Sequence, residues 1–410
     1  MLQEMRIVLK NADKINPASL EDYLSAGGYT ALEKARRMEP AAVIEEITRS
    51  RLRGRGGAGF STGRKWNLVA PGKNKYVVCN LDEGEPGTYK DRTIIEKDPH
   101  RVLEGMAICA HAIGAQKGYI YCRGEYAYLI EPLKQAISQA QSRGILPPFS
   151  IEVRQGAGAY ICGEETALLE SLQGQRGEPR FRPPYPGTAG LWGQPTAVNN
   201  VETLAAVPEI ILRGADWFSS IGAPGYPGTK IITLCGDAAK RAAFEVPTNA
   251  TLREIIYGLG GGIRENKNLK AVQVGGAGGA FLPPSLLDTP IDFDSLASIG
   301  AGLGSGALLV LDETRNILDV AISATRFFVH ESCGKCTPCR EGTFRCLSLL
   351  EKIQGQKATQ EDLKNLVRLC RVMQKASFCG LGQSAPQPIL SGMRHFAEEF
   401  SAAPATALTS

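Results

Sequence analysis

The sequence predicts an α/β protein that carries a smaller β-rich unit and a helical C-terminal segment. Three observations predict it. Between residues 75 and 173, short β-branched and aromatic runs alternate with amphipathic stretches, the rhythm of a sheet with helices on it. Residues 228–312 read in the order β, α, β, β, which suggests a small ubiquitin-like roll. Residues 316–400 carry a helical period throughout.

The elements follow in order. Residues 1–50 form an arm and helices. Ser19, Glu21 and Asp22 start one helix, and Pro40–Ile47 forms another with proline in its first turn. Residues 51–66, RLRGRGGAGFSTGRKW, hold five cations (Arg51, Arg53, Arg55, Arg64, Lys65) among glycines and no acid. Tyr76–Cys79 is a buried strand that ends abruptly in Asn80, Asp82, Glu83 and Glu85. Helices at 99–115, 125–143 and 164–173 then alternate with strands at 118–122 and 149–154. The Pro- and Gly-dense stretch 176–200 carries aromatics and reads as a binding loop. A helix at 201–213 follows. The second unit has strands at 228–235, 271–276 and 306–312 and a helix at 251–259. In the last segment, Thr359 and Asp362 match a capping box. Leu363, Leu366, Val367, Cys370 and Met373 make one apolar stripe. The predicted division is 1–50 (arm and helices), 51–227 (α/β domain), 228–314 (roll), 315–400 (helical bundle) and 401–410 (disordered tail).

Composition bounds the function. At 410 residues the chain has ample core for several domains. A net charge of +4 is too weak to argue for nucleic acid. No apolar run approaches roughly 18 residues, so no membrane span is expected. The N-terminus MLQEMRIVLKNADK has no apolar core of a secretory signal. Eleven cysteines, an odd number, cannot all pair. A reduced, cytoplasmic chain whose thiols bind metal or serve redox chemistry is therefore expected. The 46 glycines follow no collagen period and so serve turns or close backbone approach to a ligand.

The strongest chemical signal is Ser332-Cys333-Gly-Lys-Cys336-Thr-Pro-Cys339-Arg-Glu-Gly342. Three thiols at C-x2-C-x2-C spacing suit an iron–sulfur cluster. A zinc site would take two separated C-x2-C knuckles, and the second is lacking. Cys346, Cys370 and Cys379 are the candidates for a fourth ligand. The first two sit on apolar helical stripes and read as core residues. Cys379 follows a helix end and precedes Gly380-Leu-Gly382, so it is the choice. Cys79, Cys109, Cys122, Cys162 and Cys235 lie at no ligand spacing and read as packing residues. His330 reads as a surface or supporting histidine.

Gly54-Arg-Gly56-Gly57-Ala58-Gly59 matches the letters of a dinucleotide fingerprint, but it follows a basic helical segment instead of an apolar strand. What survives is physical: clustered glycines expose backbone N–H groups beside cations, a setting for an anion such as phosphate.

Arg55–Trp66, Asn80–Gly87 (NLDEGEPG), Gly163–Thr166 (GEET), Val198–Thr203 (VNNVET) and the cysteine run occur in that order. Together they closely resemble the family of NADH-binding, FMN-containing flavoproteins of respiratory complex I (51 kDa type). That family includes diaphorase subunits of NAD-linked hydrogenases and formate dehydrogenases. The resemblance covers roughly residues 30–400. It implies a Rossmann-like FMN domain, a ubiquitin-like β-grasp (SLBB) domain and a four-helix-type bundle with a [4Fe–4S] cluster.

The same resemblance implies site residues. Gly54, Arg55, Gly56, Gly57 and Lys65 approach FMN. Asn80, Asp82 and Glu83 face the flavin region. Gly163, Glu164, Glu165, Asn199, Asn200 and Thr203 complete that site. Phe60 and Tyr185 match positions that stack the adenine of NADH, and Glu85, Tyr160 and Glu165 match NADH contacts. Arg182 stands where lysine is common, and Leu68 where some relatives have an aromatic. Glu165 near the ribose favours NAD over NADP, and Arg182 blurs that preference. Cys333, Cys336, Cys339 and Cys379 are the implied cluster ligands. The implied activity is hydride transfer from NADH to FMN, followed by single electrons to the cluster and onward. No protein general base is required. No cysteine precedes Cys79, as a thioredoxin-like [2Fe–2S] segment would require, and none follows Cys379. The outer clusters are thus expected on a thioredoxin-like [2Fe–2S] partner and a larger iron–sulfur subunit of hydrogenase, formate dehydrogenase or complex I type. The terminal acceptor is not written in the sequence. The competing reading is a non-catalytic iron–sulfur protein whose glycine loop holds some other anion, separated from the first by the presence of NADH-reducible flavin.

Overall fold

A computed structural model describes residues 2–402. The predicted disordered tail, from residue 403 onward, lies outside the described residues.

Four parallel strands form the first sheet: β1 (Tyr76–Leu81), β2 (Lys117–Cys122), β3 (Ser150–Gln155) and β4 (Thr196–Asn200), in the order β3-β2-β1-β4. Side chains alternate between the faces, as strand geometry requires. Val77, Cys79, Leu81, Ile120, Cys122 and Ala197 enter a core shared with the helices Pro99–Ile113 and Val201–Arg213. Val78, Tyr119, Tyr121 and Val198 enter a second core shared with the helix Glu165–Leu172 and the C-terminal bundle. Both faces are covered, as a parallel sheet demands. β4 lies inside the stretch that the sequence reads as a loop.

The N-terminal helices Thr30–Arg36 and Pro40–Arg49 belong to the first core. Ahead of them, the arm is clasped by one buried carboxylate from the second unit. Glu245 accepts the N–H groups of Ile7, Val8 and Leu9 at 2.9, 2.9 and 2.8 Å and the Thr229 hydroxyl at 2.5 Å.

A short antiparallel pair, β5 (Gly222–Ala223) and β6 (Tyr226–Pro227), leads into the second sheet. That sheet comprises β7 (Thr229–Gly236), β8 (Ala243–Pro247), β9 (Leu269–Val274), β10 (Ala280–Leu282) and β11 (Ala307–Asp312), in the order β10-β9-β11-β7-β8. Its first and last strands lie parallel at the centre, and its other pairs are antiparallel. This is the β-grasp arrangement. The helix expected at 251–259 forms, but from Glu254 to Leu259 it widens to π-helical turns. β8 and β10, too short to stand out in the sequence, complete the sheet.

Helices Ile317–Glu331, Thr337–Gln354, Gln360–Ala376 and Gln387–His395 make the C-terminal bundle around Phe328, Leu350, Leu366 and Met373. The capping box at Thr359 and Asp362 is present. Among the described residues, no helix is long and apolar enough to cross a membrane.

Candidate functional site

The chain runs outward from β1 through β2 to β3, then returns to place β4 on the opposite side of β1. The topological switch point of the sheet therefore lies beyond the carboxyl ends of β1 and β4, where open α/β sheets bind their ligands. Asn80, Asp82, Asn199 and Asn200 sit at those two ends.

Asn80 donates to the Gly163 carbonyl at 2.9 Å and accepts from the Asp82 N–H at 3.0 Å, tying β1 to the turn before the Glu165 helix. Both carboxylate oxygens of Asp82 are buried without a hydrogen-bond partner. Burial pushes this carboxyl up to about 7, against the pull of Arg123 at 3.9 Å. An unpaired buried carboxylate is costly, so its presence marks a place that awaits donors. The ribityl hydroxyls and ring N–H of a flavin are such donors.

The glycine loop packs against this end of the sheet. The Arg55 N–H donates to the Thr203 hydroxyl at 2.8 Å. A side chain on Gly56 would meet Asn200 Cβ at 3.1 Å, and Gly57 sits at φ +126°, a region essentially reserved for glycine. The helix Pro40–Arg49 precedes the loop, so the fingerprint letters lack the strand they need. After the loop, Ser61 caps a short helix, Thr62–Asn67. It aims Lys65 at Glu165 (2.7 Å) and at the Val198 carbonyl (2.9 Å), and it lets Trp66 donate to Asn199 at 2.9 Å. Arg182 lies 3.6 Å from Glu165 and 3.8 Å from Glu164. Glu164 itself caps the Glu165–Leu172 helix. Phe60, Leu68 and Tyr185 stand exposed, and the Gly187 carbonyl accepts from Ala70, which brings the Tyr185 and Leu68 segments together.

Two side chains do different work from that expected. The Arg55 guanidinium is buried, 4.1 Å over the Tyr226 ring, and donates to the Pro227 carbonyl at 2.6 Å. It docks the loop onto the β5–β6 pair, leaving only its backbone on the ligand side. Glu83 turns away from Asp82. It accepts the N–H groups of Asp91 and Arg92 at 2.8 and 3.2 Å and the Tyr126 hydroxyl at 3.1 Å, and so starts the helix Lys90–Lys97. Burial pushes the Glu83 carboxyl up to about 7.

Glu85 joins the three units. It accepts from the Tyr160 hydroxyl at 2.7 Å and from the Ala277 N–H, in the β-grasp unit, at 2.7 Å. The Tyr160 N–H in turn donates to Glu331 on the first bundle helix at 2.9 Å. Burial raises the Glu85 carboxyl and, with Glu85 beside it, the Tyr160 hydroxyl. Arg123, Glu331 and the Gly276–Ala277 turn carry no sequence signal of this role. Each acts through a partner far away along the chain.

The cysteines converge where the bundle meets this turn. Cys333, Cys336, Cys339 and Cys379 line one small void with Ile161, the neighbour of Tyr160. Cys336 and Cys379 each occupy the N-cap of a helix, where the backbone dipole favours negative charge. The Phe378 N–H donates to Cys336 Sγ at 3.4 Å, and the Ser332 hydroxyl lies 3.3 Å from Cys339 Sγ. Gly334, at φ +78°, lets the loop curl. Burial pushes Cys339 up to about 11, so in the free protein this thiol holds its proton until a cationic centre displaces it. Among the described residues no three His, Cys, Asp or Glu side chains converge closely enough to hold a single metal ion. Thiols that wall a void instead of meeting at a point would suit a polynuclear cluster held by Cys333, Cys336, Cys339 and Cys379. Cys346 and Cys370 lie 4.0 Å apart in the bundle core, away from the void.

Comparison with known proteins shows what the chain is similar to. The family described as Nuo51 FMN-binding domain matches residues 47–209, and the NADH-ubiquinone oxidoreductase-F iron-sulfur binding region matches residues 319–403. The NADP-reducing hydrogenase subunit HndC of Solidesulfovibrio fructosivorans is 46% identical, spanning 98% of this chain and 84% of that protein. An NADH-quinone oxidoreductase subunit of Aquifex aeolicus is 46% identical, spanning 97% and 94%. A chain in the crystal structure of an NAD+-reducing [NiFe]-hydrogenase in the H2-reduced state superposes with a TM-score of 0.86 at 38% identity, over 98% of this chain and 67% of that one.

Proposed function

This chain belongs to the Nuo51-type family of NADH-binding, FMN-containing flavoproteins, and we propose that its switch-point crevice holds FMN and NADH while its four-thiol void holds the [4Fe–4S] cluster. It is the electron-input subunit of a multisubunit oxidoreductase. FMN supplies the conversion of a two-electron hydride from NADH into single electrons for iron–sulfur centres.

The chain's own residues do the rest. In the glycine loop, the Gly54 N–H is held by the Phe60 carbonyl and the Arg55 N–H by Thr203, which shapes Gly54–Gly57 so that the N–H groups of Gly56 and Gly57 face the flavin phosphate, with Lys65 as the nearby cation. Asn80, Asp82, Asn199, Asn200 and Thr203 offer oxygens and amides to the ribityl chain and ring edge. Gly163 and Glu164 set the turn beside them. Glu83 is assigned to this site only through the helix it starts. Phe60 and Tyr185 stack the adenine, while Glu85, Tyr160, Glu165 and Arg182 line the nucleotide's path. Cys333, Cys336, Cys339 and Cys379 are assigned as cluster ligands. The functional division follows: arm and helices 1–50, FMN/NADH domain 51–227, β-grasp 228–314, and cluster bundle 315–400.

One observation carries the reading. Asp82, buried at the switch point with no hydrogen-bond partner, lies beside Asn80, which is bonded to the Gly163 turn that follows Ile161 at the cysteine void. A donor-rich ligand and an electron acceptor are thereby set side by side. Relatives named as hydrogenase and NADH-quinone oxidoreductase subunits support partner subunits of those kinds. Within that class we assign a thioredoxin-like [2Fe–2S] subunit and a larger iron–sulfur subunit, working in the cytoplasm. Purified protein should contain flavin and iron and reduce ferricyanide with NADH. Colour without flavin, or flavin that NADH does not bleach, would leave only the non-catalytic iron–sulfur reading.

A further inference from the structure

One short segment touches both the nucleotide residues and the cluster mouth. It runs from the end of the Glu165–Leu172 helix to Tyr185. On its first half, Arg176 donates to the Cys333 carbonyl at 2.8 Å. The Pro179 carbonyl accepts from Lys335 at 2.7 Å, and Pro179 itself lines the cysteine void. Phe181 packs edge-on against Phe378, the neighbour of Cys379, with ring centroids 4.8 Å apart. The Lys335 ammonium sits 5.7 Å from each ring, between the segment and the thiols. On its second half, Arg182 faces Glu164 and Glu165 at 3.8 and 3.6 Å, and Tyr185 follows. Between the halves, Arg180 fastens the segment to the body through the Gly190 carbonyl at 2.9 Å and through Glu170. Its own N–H donates to Thr166 at 2.9 Å.

Phe181 is 73% exposed, yet its contacts are to the cluster loop, not to a core. A large ring left exposed beside the void, against Phe378 of its lining, gains little packing for the hydration it costs. Its placement makes sense as a cover that keeps water from the thiols and holds the Lys335 charge beside them. Solvent exposure and nearby charge are the two levers by which a protein sets a cluster's potential.

We propose that residues 176–185 are a shared cover, through which nucleotide bound at Arg182 and Tyr185 changes the shielding of the cluster, and the state of the cluster changes nucleotide affinity in return. Once bound nucleotide shifts the cluster's potential, linkage requires the cluster's state to shift nucleotide affinity by the same free energy. Arg176 and Phe181 are positioning residues in this scheme, because neither lies in the assigned nucleotide or cluster set. The proposal rests on the assignments above.

The test is an EPR-monitored redox titration of the purified holoprotein, with and without saturating NAD+. In the unaltered chain the cluster's midpoint potential should shift when NAD+ is added. Phe181→Ser should raise the potential in the absence of nucleotide, since water stabilises the more negative reduced state, and it should speed bleaching of the cluster by air. Arg176→Gln should erase the NAD+-dependent shift while the unliganded cluster stays intact. An unaltered chain whose potential ignores NAD+ overturns the coupling. A shift that survives in Arg176→Gln reveals a through-space effect of the bound nucleotide and overturns the cover's part in it. Bleaching of flavin by NADH, followed in the same samples, separates the two readings. If it fails in the unaltered chain, the assigned function fails; if it persists while the potentials stay fixed, only the cover fails.

Discussion

Glu202 lies at the base of the crevice, one residue before Thr203, and Glu202→Gln tests how the β-grasp unit is held to the flavin domain. Its carboxylate accepts from Lys230 at 2.6 Å, from the Ile231 N–H at 2.8 Å and lies 3.1 Å from Lys90. All three side chains that carry charge here are at most 1% exposed. Lys90 keeps Asp91 at 2.6 Å, but Lys230 has no other acid within salt-bridge distance among the described residues. Breaking a buried pair costs about 3–5 kcal/mol, because one charge is left without compensation. Lys230 can limit that cost by giving up its proton. Burial already lowers it from 10.5 to about 8. Removing its proton at neutral pH costs on the order of 5 kcal/mol against its ordinary value, which sets the ceiling. Urea unfolding should therefore show a loss of about 3–5 kcal/mol. The pH dependence carries a sign. A lysine depressed in the folded state binds fewer protons there than in the unfolded chain, so stability rises with pH. In the variant Lys230 is depressed further, and its gain begins at lower pH. The deficit should thus be smaller at about pH 9 than at about pH 6. A loss below about 1 kcal/mol, or a deficit that grows with pH, would refute the buried-pair account.

Three further outcomes are expected. Cys379→Ser should abolish or alter the reduced-cluster EPR signal, whereas Cys370→Ala, in the bundle core 4.0 Å from Cys346, should leave it unchanged; the reverse would reassign the fourth ligand. Gly57→Ala forces a side chain into φ +126°, at a cost of about 1–3 kcal/mol, and should lower flavin content per chain while iron content holds. Asp82 is raised by burial from 3.8 to about 7, so between those values the folded flavin-free chain keeps a proton that the unfolded chain has lost. Its stability falls there as pH rises, and Asp82→Asn should flatten that slope, with the Glu83 contribution remaining. Urea midpoints across that range check it, and an unchanged slope contradicts it.

What could be read from residues alone was whatever depends on local chemistry. The cysteine spacing, the Thr359 capping box and the strand at Tyr76 all rest on neighbours within a few residues; the structure contains the cap and the strand where expected, and Cys379 lines the same void as the three spaced cysteines. β4 escaped because five residues ending in Asn199 and Asn200 look like the loop that precedes them. Only pairing with β1 makes them a strand. The helix Lys90–Lys97 escaped because Glu83 starts it from outside. Arg55 read as an anion ligand by its charge, but its destination is set by Tyr226 and Pro227, in a segment more than 170 residues away. The clasp of Glu245 on residues 7–9 is invisible for the same reason: three backbone N–H groups leave no sequence signature.

The central claim is that electrons enter from NADH at the switch-point crevice and reach the four-thiol void. An anaerobic addition of NADH to the purified protein, read by EPR, tests it most directly. The account predicts that the flavin band bleaches and that the signal of a reduced [4Fe–4S] cluster appears, lost in Cys379→Ser. A cluster that dithionite reduces but NADH leaves silent, in protein that retains its flavin, would contradict it.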